Sequence, residues 1–222
     1  MTVDRTSPGQ SPADADGRFL RYWLLWVSLG ETVGFLAPAV TQLGFAGSPV
    51  GSAPLVVAGA VEGTVLGWTQ ATILRVPLPA LSRSRWVGAT AIGAAAAWFL
   101  GLLPAEWADI WQRWPATTQL VAGVLLALVL LGAVGFAQWF ELRRHLAGAL
   151  WWVVGSALAW CAGLVVFFAV ATPLWQPGQP WPLVLLVGLV AALLMAVTMA
   201  LVSGLVLVRM LRRATKRGGG RH

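Results

Sequence analysis

The sequence predicts an all-α membrane protein, a bundle of six transmembrane helices with both termini on the cytoplasmic side. Three observations predict this fold: a composition that is 58% hydrophobic and only 10% charged, six long apolar runs, and basic residues confined to alternate connections. In ordinary soluble domains about a quarter of the residues are charged. A soluble protein could not cover its surface with so few charges, whereas the outside of a membrane protein is apolar.

Each apolar run is long enough to cross a bilayer as a helix, since a hydrocarbon core of about 30 Å requires roughly 20 apolar residues. The runs are continuous rather than alternating, and a helix satisfies its backbone amides within the segment. The predicted spans are residues 19–40, 54–74, 86–103, 117–140, 149–172 and 182–208. They make up one transmembrane domain, residues 19–211, in a bacterial-type inner membrane.

The distribution of basic residues predicts the orientation. All of the 15 Lys and Arg residues except Arg113 lie before or at the start of span one, between spans two and three, between spans four and five, or after span six. Short cytoplasmic connections carry an excess of Lys and Arg, so these segments are predicted to be cytoplasmic and to attract anionic lipids. Nucleic-acid binding is not predicted, because it requires basic residues gathered on one folded face.

The two terminal segments are polar. Residues 1–18 are rich in Ser, Pro, Asp and Gly, and such a segment cannot bury enough apolar surface to fold. We therefore predict a disordered cytoplasmic tail over residues 1–18 and a basic cytoplasmic tail over residues 212–222.

The connection from Pro104 to Pro115 contains three tryptophans at helical spacing, Trp107, Trp111 and Trp114. A short amphipathic turn in the outer interface explains this spacing. Two interpretations remain: an aromatic anchor, which is common at that depth, or a lid or docking surface.

Small residues recur at four-residue spacing in the spans, for example Gly59, Gly63 and Gly67 in span two. This spacing places them on one helical stripe and lets neighbouring backbones approach closely. The stripes favour a tightly packed monomer, and the alternative is a seam between copies of a homo-oligomer.

A motif pair indicates an internal parallel repeat of helical hairpins, residues 54–103 and 117–172. The pattern Gly67-x-x-Gln70-x-x-x-Leu74-Arg75 recurs as Gly135-x-x-Gln138-x-x-x-Leu142-Arg143, and Trp86-x-x-x-Thr90 recurs as Trp152-x-x-x-Ser156. Spans one and six are candidates for a split third copy. We expect the amides of Gln70 and Gln138 to bond across helices at the repeat interface, contributing about 1 kcal/mol each; substrate binding is the alternative.

With these motifs, residues 63–165 resemble uncharacterised bacterial multi-pass membrane proteins that have a duplicated G-x-x-Q-x-x-x-L-R helical hairpin. The resemblance implies the fold and the membrane context. It implies no activity.

Two glutamates lie deep within predicted spans, where ionisable groups are costly and are functional by default. Glu31 lies about 18 Å into span one from the cytoplasmic side, and Glu62 lies about 12 Å into span two from the outside, at 1.5 Å per residue. In a core of about 30 Å these depths coincide, so adjacent antiparallel helices could bring the two carboxyls together.

Polar side chains accompany both glutamates: Ser28 and Thr32 beside Glu31, and Thr69 two turns from Glu62. No Lys or Arg lies at that depth, and burial disfavours the charged form of a carboxyl. At neutral pH we expect a protonated pair, a shared proton or a bound cation. The second repeat has Leu130 in place of Glu62, so the site is not duplicated.

Three functional hypotheses follow. The first is a small transporter or channel-like protein that uses Glu31 and Glu62 as a proton or cation site. The second is a non-catalytic subunit or scaffold that docks a membrane partner through its spans or its basic tail. The third, a lipid- or headgroup-modifying enzyme using Glu141 and His145, is disfavoured because a solvated turn explains these residues.

Catalytic and metal chemistry have little support in the sequence. Cys161 is the single cysteine, and the two histidines are His145 and His222, which provide neither a metal quartet nor the paired histidines of a zinc protease. We predict no enzyme activity, no metal and no cofactor.

Overall fold

The structure, a computed structural model, describes residues 12–45 and 52–218, which form seven helices and no strand. The helices are α1 (Pro12–Phe45), α2 (Ala53–Leu74), α3 (Arg83–Glu106), α4 (Ala108–Trp111), α5 (Ala116–Leu142), α6 (Leu150–Leu174) and α7 (Trp181–Gly218). Each of the six predicted spans coincides with one long helix, and all lie within its bounds except the fifth, which begins one residue before α6.

Five helices, α1, α3, α5, α6 and α7, are long and apolar enough to cross a membrane. Large apolar side chains also cover much of the outside; Leu120, Leu128 and Val165, for example, are 69%, 62% and 62% exposed. An apolar exterior on apolar helices is typical of proteins in a bilayer. The chain is thus an all-α protein with the properties of a membrane protein.

The six long helices form a closed ring in chain order. Each packs against the helices before and after it in this order, and α7 closes the ring by packing against α1. The indole nitrogen of Trp23, near the start of α1, donates a hydrogen bond of 3.1 Å to Ser203 near the end of α7. We call the end of the ring with the connections 75–82 and 143–149 the basic end, and the end with the connections 112–115 and 175–180 the far end.

Glycines set the close approach of neighbouring helices. A Cβ at Gly63 of α2 would lie 2.7 Å from the backbone oxygen of Thr90 in α3, and a Cβ at Gly93 of α3 would lie 2.7 Å from the Cα of Val134 in α5. Each glycine therefore faces a neighbour within the same chain. These contacts favour the packed monomer over a homo-oligomer seam as the role of the small-residue stripes.

Aromatic residues fill the inside of the ring at the basic end. Trp23, Trp86 and Trp152 are at most 1% exposed. The ring centroid of Trp152 lies 6.1 Å from that of Trp86 and 6.4 Å from that of Trp23. This aromatic cluster fills the ring at the basic end, so the open space inside the ring lies in the half toward the far end.

The helices extend beyond the predicted spans. A helix, and not the predicted disordered tail, occupies residues 12–18, and α7 continues through the predicted basic tail to Gly218. Asp14 lies in the first turn of α1, where a carboxylate interacts favourably with the helix dipole, and Asp16 forms an ion pair with Arg212 of α7. Residues 1–11 and 219–222 lie outside the described part of the chain.

The far end has the expected short amphipathic element. α3 continues to Glu106, α4 follows as a single turn, and the rings of Trp111 and Trp114 lie 5.4 Å apart. The connection after the fifth predicted span begins later than the span bounds indicate, because α6 includes Pro173 and Leu174.

Candidate functional site

The structure places Glu31 of α1 and Glu62 of α2 side by side inside the ring. Glu31 is 0% exposed and Glu62 is 5% exposed. The two carboxyls are close enough to interact electrostatically. Two negative charges this close in a buried site repel each other, so a proton or a cation would stabilise the pair.

Glycines in α1 bring the two helices together at this level. A Cβ at Gly34 would lie 3.0 Å from the backbone oxygen of Glu62, and a Cβ at Gly30 would overlap the side chain of Thr69. A larger residue at either position would push α1 away from α2. The close approach is thus encoded locally, by the glycine immediately before Glu31 and the glycine about one turn after it.

A third helix contributes a donor. The indole nitrogen of Trp98 in α3 donates a hydrogen bond of 2.7 Å to Oε2 of Glu62. Gly59 of α2 lies directly against Trp98, and a Cβ there would overlap the indole. The short hydrogen bond is therefore a consequence of the glycine stripe on α2.

The carboxyl oxygens of Glu31 have no hydrogen-bond partner in the part of the chain that the structure describes. A buried polar group without a partner is costly. The pair therefore has a surplus of acceptors, and a proton or a cation would satisfy it.

The other predicted site residues do not bind the carboxyls. The hydroxyl of Thr32 donates to the backbone oxygen of Ser28 at 2.8 Å, and that of Thr69 donates to the backbone oxygen of Leu66 at 2.8 Å. The hydroxyl of Ser28 is buried, with no partner among the described residues. Glu31, Glu62 and Trp98 thus form the site, and Ser28, Thr32 and Thr69 lie outside it.

Glu62 opens onto a cavity of about 510 Å³ in the half of the ring toward the far end. All six long helices contribute to its wall, which is apolar or aromatic apart from this carboxylate. The lining residues are Phe35, Glu62, Ala97, Trp98, Gly101, Leu102, Leu130, Trp160, Leu164, Phe167, Phe168 and Met195. Ligand pockets typically have volumes of about 300–1,000 Å³ and apolar walls with few polar groups. The cavity fits this description.

Gln70 and Gln138 meet at the other end of the ring. Nε2 of Gln138 donates at 2.8 Å to Oε1 of Gln70 and at 2.8 Å to the hydroxyl of Thr90. Trp86 donates to Oε1 of Gln70 at 3.2 Å, and Trp152 donates to Oε1 of Gln138 at 2.9 Å. All five residues are buried and none lines the cavity, so their arrangement suits packing and not ligand binding.

Glu141 is buried at the basic end, although the sequence indicated a solvated turn. Its Oε1 accepts from the backbone N–H of Ser82 at 2.8 Å and lies 3.0 Å from Nε2 of His145. Arg85 and Arg144 lie 3.6 and 3.8 Å from Oε2. The Ser82 N–H belongs to the N-cap of α3, so the carboxylate joins α3 to α5. Glu141 is buried because it bonds to the start of α3, and the sequence of the turn alone does not indicate that contact.

No group of three or more metal-ligating side chains occurs within residues 12–45 and 52–218. Glu31 and Glu62 are the two carboxyl groups that meet inside the ring. They provide fewer oxygen ligands than calcium or magnesium requires.

Trp98 was not among the predicted site residues, and the hydrogen bond of Thr90 was not predicted. Trp98 lies about 18 Å into span three by the helical rise, the same depth as Glu31, whereas tryptophan is enriched at the membrane interfaces. A tryptophan near the midplane was therefore a usable indication of the site. The repeated motif contains Thr90, but its contact with Gln138 depends on how α3 meets α5.

Comparisons of the chain with protein-family models, with curated proteins and with solved structures gave no match.

Proposed function

We propose that the chain is a small transporter in which Glu31 and Glu62 exchange a proton or a cation. The observation that carries the proposal is the buried carboxyl pair beside the 510 Å³ cavity, with no basic residue in the lining. An ionisable group buried in a membrane span is rare and marks ion pathways and proton relays.

We propose that the chain crosses the membrane six times, with α2 as a span in addition to the five apolar helices. At 1.5 Å per residue, the 22 residues of α2 extend about 33 Å, enough for a hydrocarbon core of about 30 Å. Its most polar residues, Glu62 and Gln70, are buried in the ring and do not face lipid. With six spans, both termini lie at the basic end, which the positive-inside rule assigns to the cytoplasm of a bacterial-type cell.

We also propose that the ring is built from a repeated hairpin, as in the bacterial multi-pass proteins that the sequence resembles. Two equivalent hydrogen bonds support the repeat, Trp86 to Gln70 and Trp152 to Gln138. The contact of Gly204 in α7 with Trp23 in α1 supports a third, split copy. Parallel repeats occur in transporters.

Anionic lipids are the proposed partners at the basic end. The guanidinium of Arg83 lies 4.7 Å from the ring centroid of Trp68, and that of Arg143 lies 4.6 Å from the ring centroid of Trp139. Tryptophans at membrane interfaces and basic residues facing anionic headgroups favour this contact, at about 1 kcal/mol per basic residue.

The test is proton flux in liposomes that contain the purified protein and an enclosed pH-sensitive dye. An imposed pH gradient, with a monovalent cation inside the liposomes for the exchange, should drive proton entry through the native protein. Glu31→Gln and Glu62→Gln should each reduce the rate at least about tenfold, because an amide cannot exchange a proton as a carboxyl does. Glu106→Gln is the matched control, since Glu106 is exposed at the end of α3.

Equal flux through the native protein, both Gln variants and protein-free liposomes would contradict transport. A stoichiometric membrane partner that co-purifies with such an inactive protein would then support the scaffold hypothesis.

A further inference from the structure

The cavity has a wall of unusual chemistry for a proton site. Five aromatic side chains, Phe35, Trp98, Trp160, Phe167 and Phe168, line it together with leucines and Met195. The faces of aromatic rings attract cations, most strongly where water is excluded. Glu62 is the single charged group in this wall, and Glu31 lies against it.

We propose that the cavity binds a lipophilic organic cation of single positive charge, such as a quaternary ammonium or phosphonium ion, and that binding releases a proton from the Glu31–Glu62 pair. This proposal rests on the proposed function and names its substrate class. Aromatic faces and one carboxylate satisfy such a cation, while the apolar wall accommodates its hydrocarbon groups.

Other ligand classes fit the cavity less well. A hydrated inorganic cation would lose its water shell without enough oxygen ligands to replace it. An anion would meet the carboxyl pair and no described basic residue in the lining. A neutral hydrocarbon would fill the space but would leave the surplus of acceptors on the pair unchanged.

The exchange balances in charge and in protons. Without ligand, one proton is shared by the two carboxyls and the site carries one negative charge. When the cation enters, that proton leaves to water and the doubly ionised pair holds the cation, so the net charge of the site is unchanged. Among the described residues, α3, α5, α6 and α7 contribute no titratable side chain to the cavity. The pH dependence of binding therefore reports on Glu31 and Glu62.

The probe is tetraphenylphosphonium, and tetraphenylborate is its control of the same shape and opposite charge. We expect the purified full-length protein in detergent to bind tetraphenylphosphonium, to release about one proton per cation, and to bind more weakly as the pH falls. Glu62→Gln should weaken binding at least about tenfold and abolish proton release, because the aromatic wall alone cannot replace the carboxylate. Glu106→Gln should bind as the native protein does.

Two results would overturn the substrate class: native affinity in a folded Glu62→Gln protein, or equal competition by tetraphenylborate. If Glu62→Gln does not fold, Glu31→Gln provides the same test, because it removes the carboxyl that has no N–H donor. Proton flux in liposomes without tetraphenylphosphonium binding would overturn the substrate class and leave transport standing. Binding with proton release but without proton entry into liposomes that contain tetraphenylphosphonium would support the substrate class and overturn transport.

Discussion

The glutamine network at the basic end gives the sharpest prediction of stability. Gln138 is fully buried and uses all of its hydrogen-bonding groups on three neighbours, Gln70, Thr90 and Trp152. The hydroxyl of Thr90 in turn donates to the backbone oxygen of Trp86 at 2.8 Å. Gln138→Leu keeps a similar size but removes all three side-chain bonds.

The magnitude follows from two contributions. Hydrogen bonds between helices in membrane proteins contribute about 0.6 kcal/mol on average, so three bonds amount to about 2 kcal/mol. The indole N–H of Trp152 would also remain buried without its acceptor, which costs about 1 kcal/mol more. We expect Gln138→Leu to lower the free energy of unfolding by about 3 kcal/mol.

The assay is unfolding in mixed micelles followed by far-ultraviolet circular dichroism, which does not depend on the environment of the tryptophans. Gln112→Leu, at an exposed position near the far end, is the control and should change stability by less than about 0.5 kcal/mol. A double-mutant cycle with Gln70→Leu should give a coupling energy of about 0.5–1.5 kcal/mol. A loss below about 0.5 kcal/mol for Gln138→Leu would show that the network does not stabilise the ring.

Further substitutions test the packing of the helices. Gly63→Ala should lower the free energy of unfolding by about 1–3 kcal/mol, because the new methyl group would press against the backbone of α3. The control is Gly132→Ala, whose methyl group would meet no described atom within 4 Å and which should be neutral or stabilising. Equal losses of stability for both variants would contradict the role of Gly63 in helix packing. Glu141→Ala should cost about 1–2 kcal/mol by leaving the Ser82 N–H without its acceptor, whereas Glu106→Ala should be neutral. Removing the exposed partner with Arg85→Ala should cost under about 1 kcal/mol, and a larger loss than for Glu141→Ala would show that the ion pair, and not the N-cap bond, joins the helices.

The existence of the long helices could be predicted, but their ends could not. In a bilayer, an apolar run of sufficient length forms a helix, whichever other helices it packs against. The first turns of α1 are instead held against α7 by the ion pair of Asp16 with Arg212, almost 200 residues away. That contact exists because α7 closes the ring against α1, and no pattern within residues 1–18 contains this information.

The candidate site, too, could be predicted only in part. The equal depth of Glu31 and Glu62 could be predicted from their positions in the spans, because the rise of a helix per residue is fixed. Which face each helix turns inward depends on the glycine contacts and on ring closure. The hydrogen bond of Trp98 to Glu62 and the apolar cavity are therefore visible only in the assembled fold.

The numbers of hydrogen-bond donors and acceptors distinguish the glutamine network, which packs the helices, from the carboxyl pair, for which we propose a function. In the glutamine network, each N–H of Gln138 and the indole N–H groups of Trp86 and Trp152 have an acceptor, so nothing needs to bind there. The carboxyl pair has four acceptor oxygens and one described N–H donor, Trp98. Packing does not require this imbalance, because the repeat alignment places Leu130 at the position of Glu62. A buried site that is incomplete without a proton or a cation, beside a cavity with no described basic residue in its lining, is better explained by ion exchange than by stability.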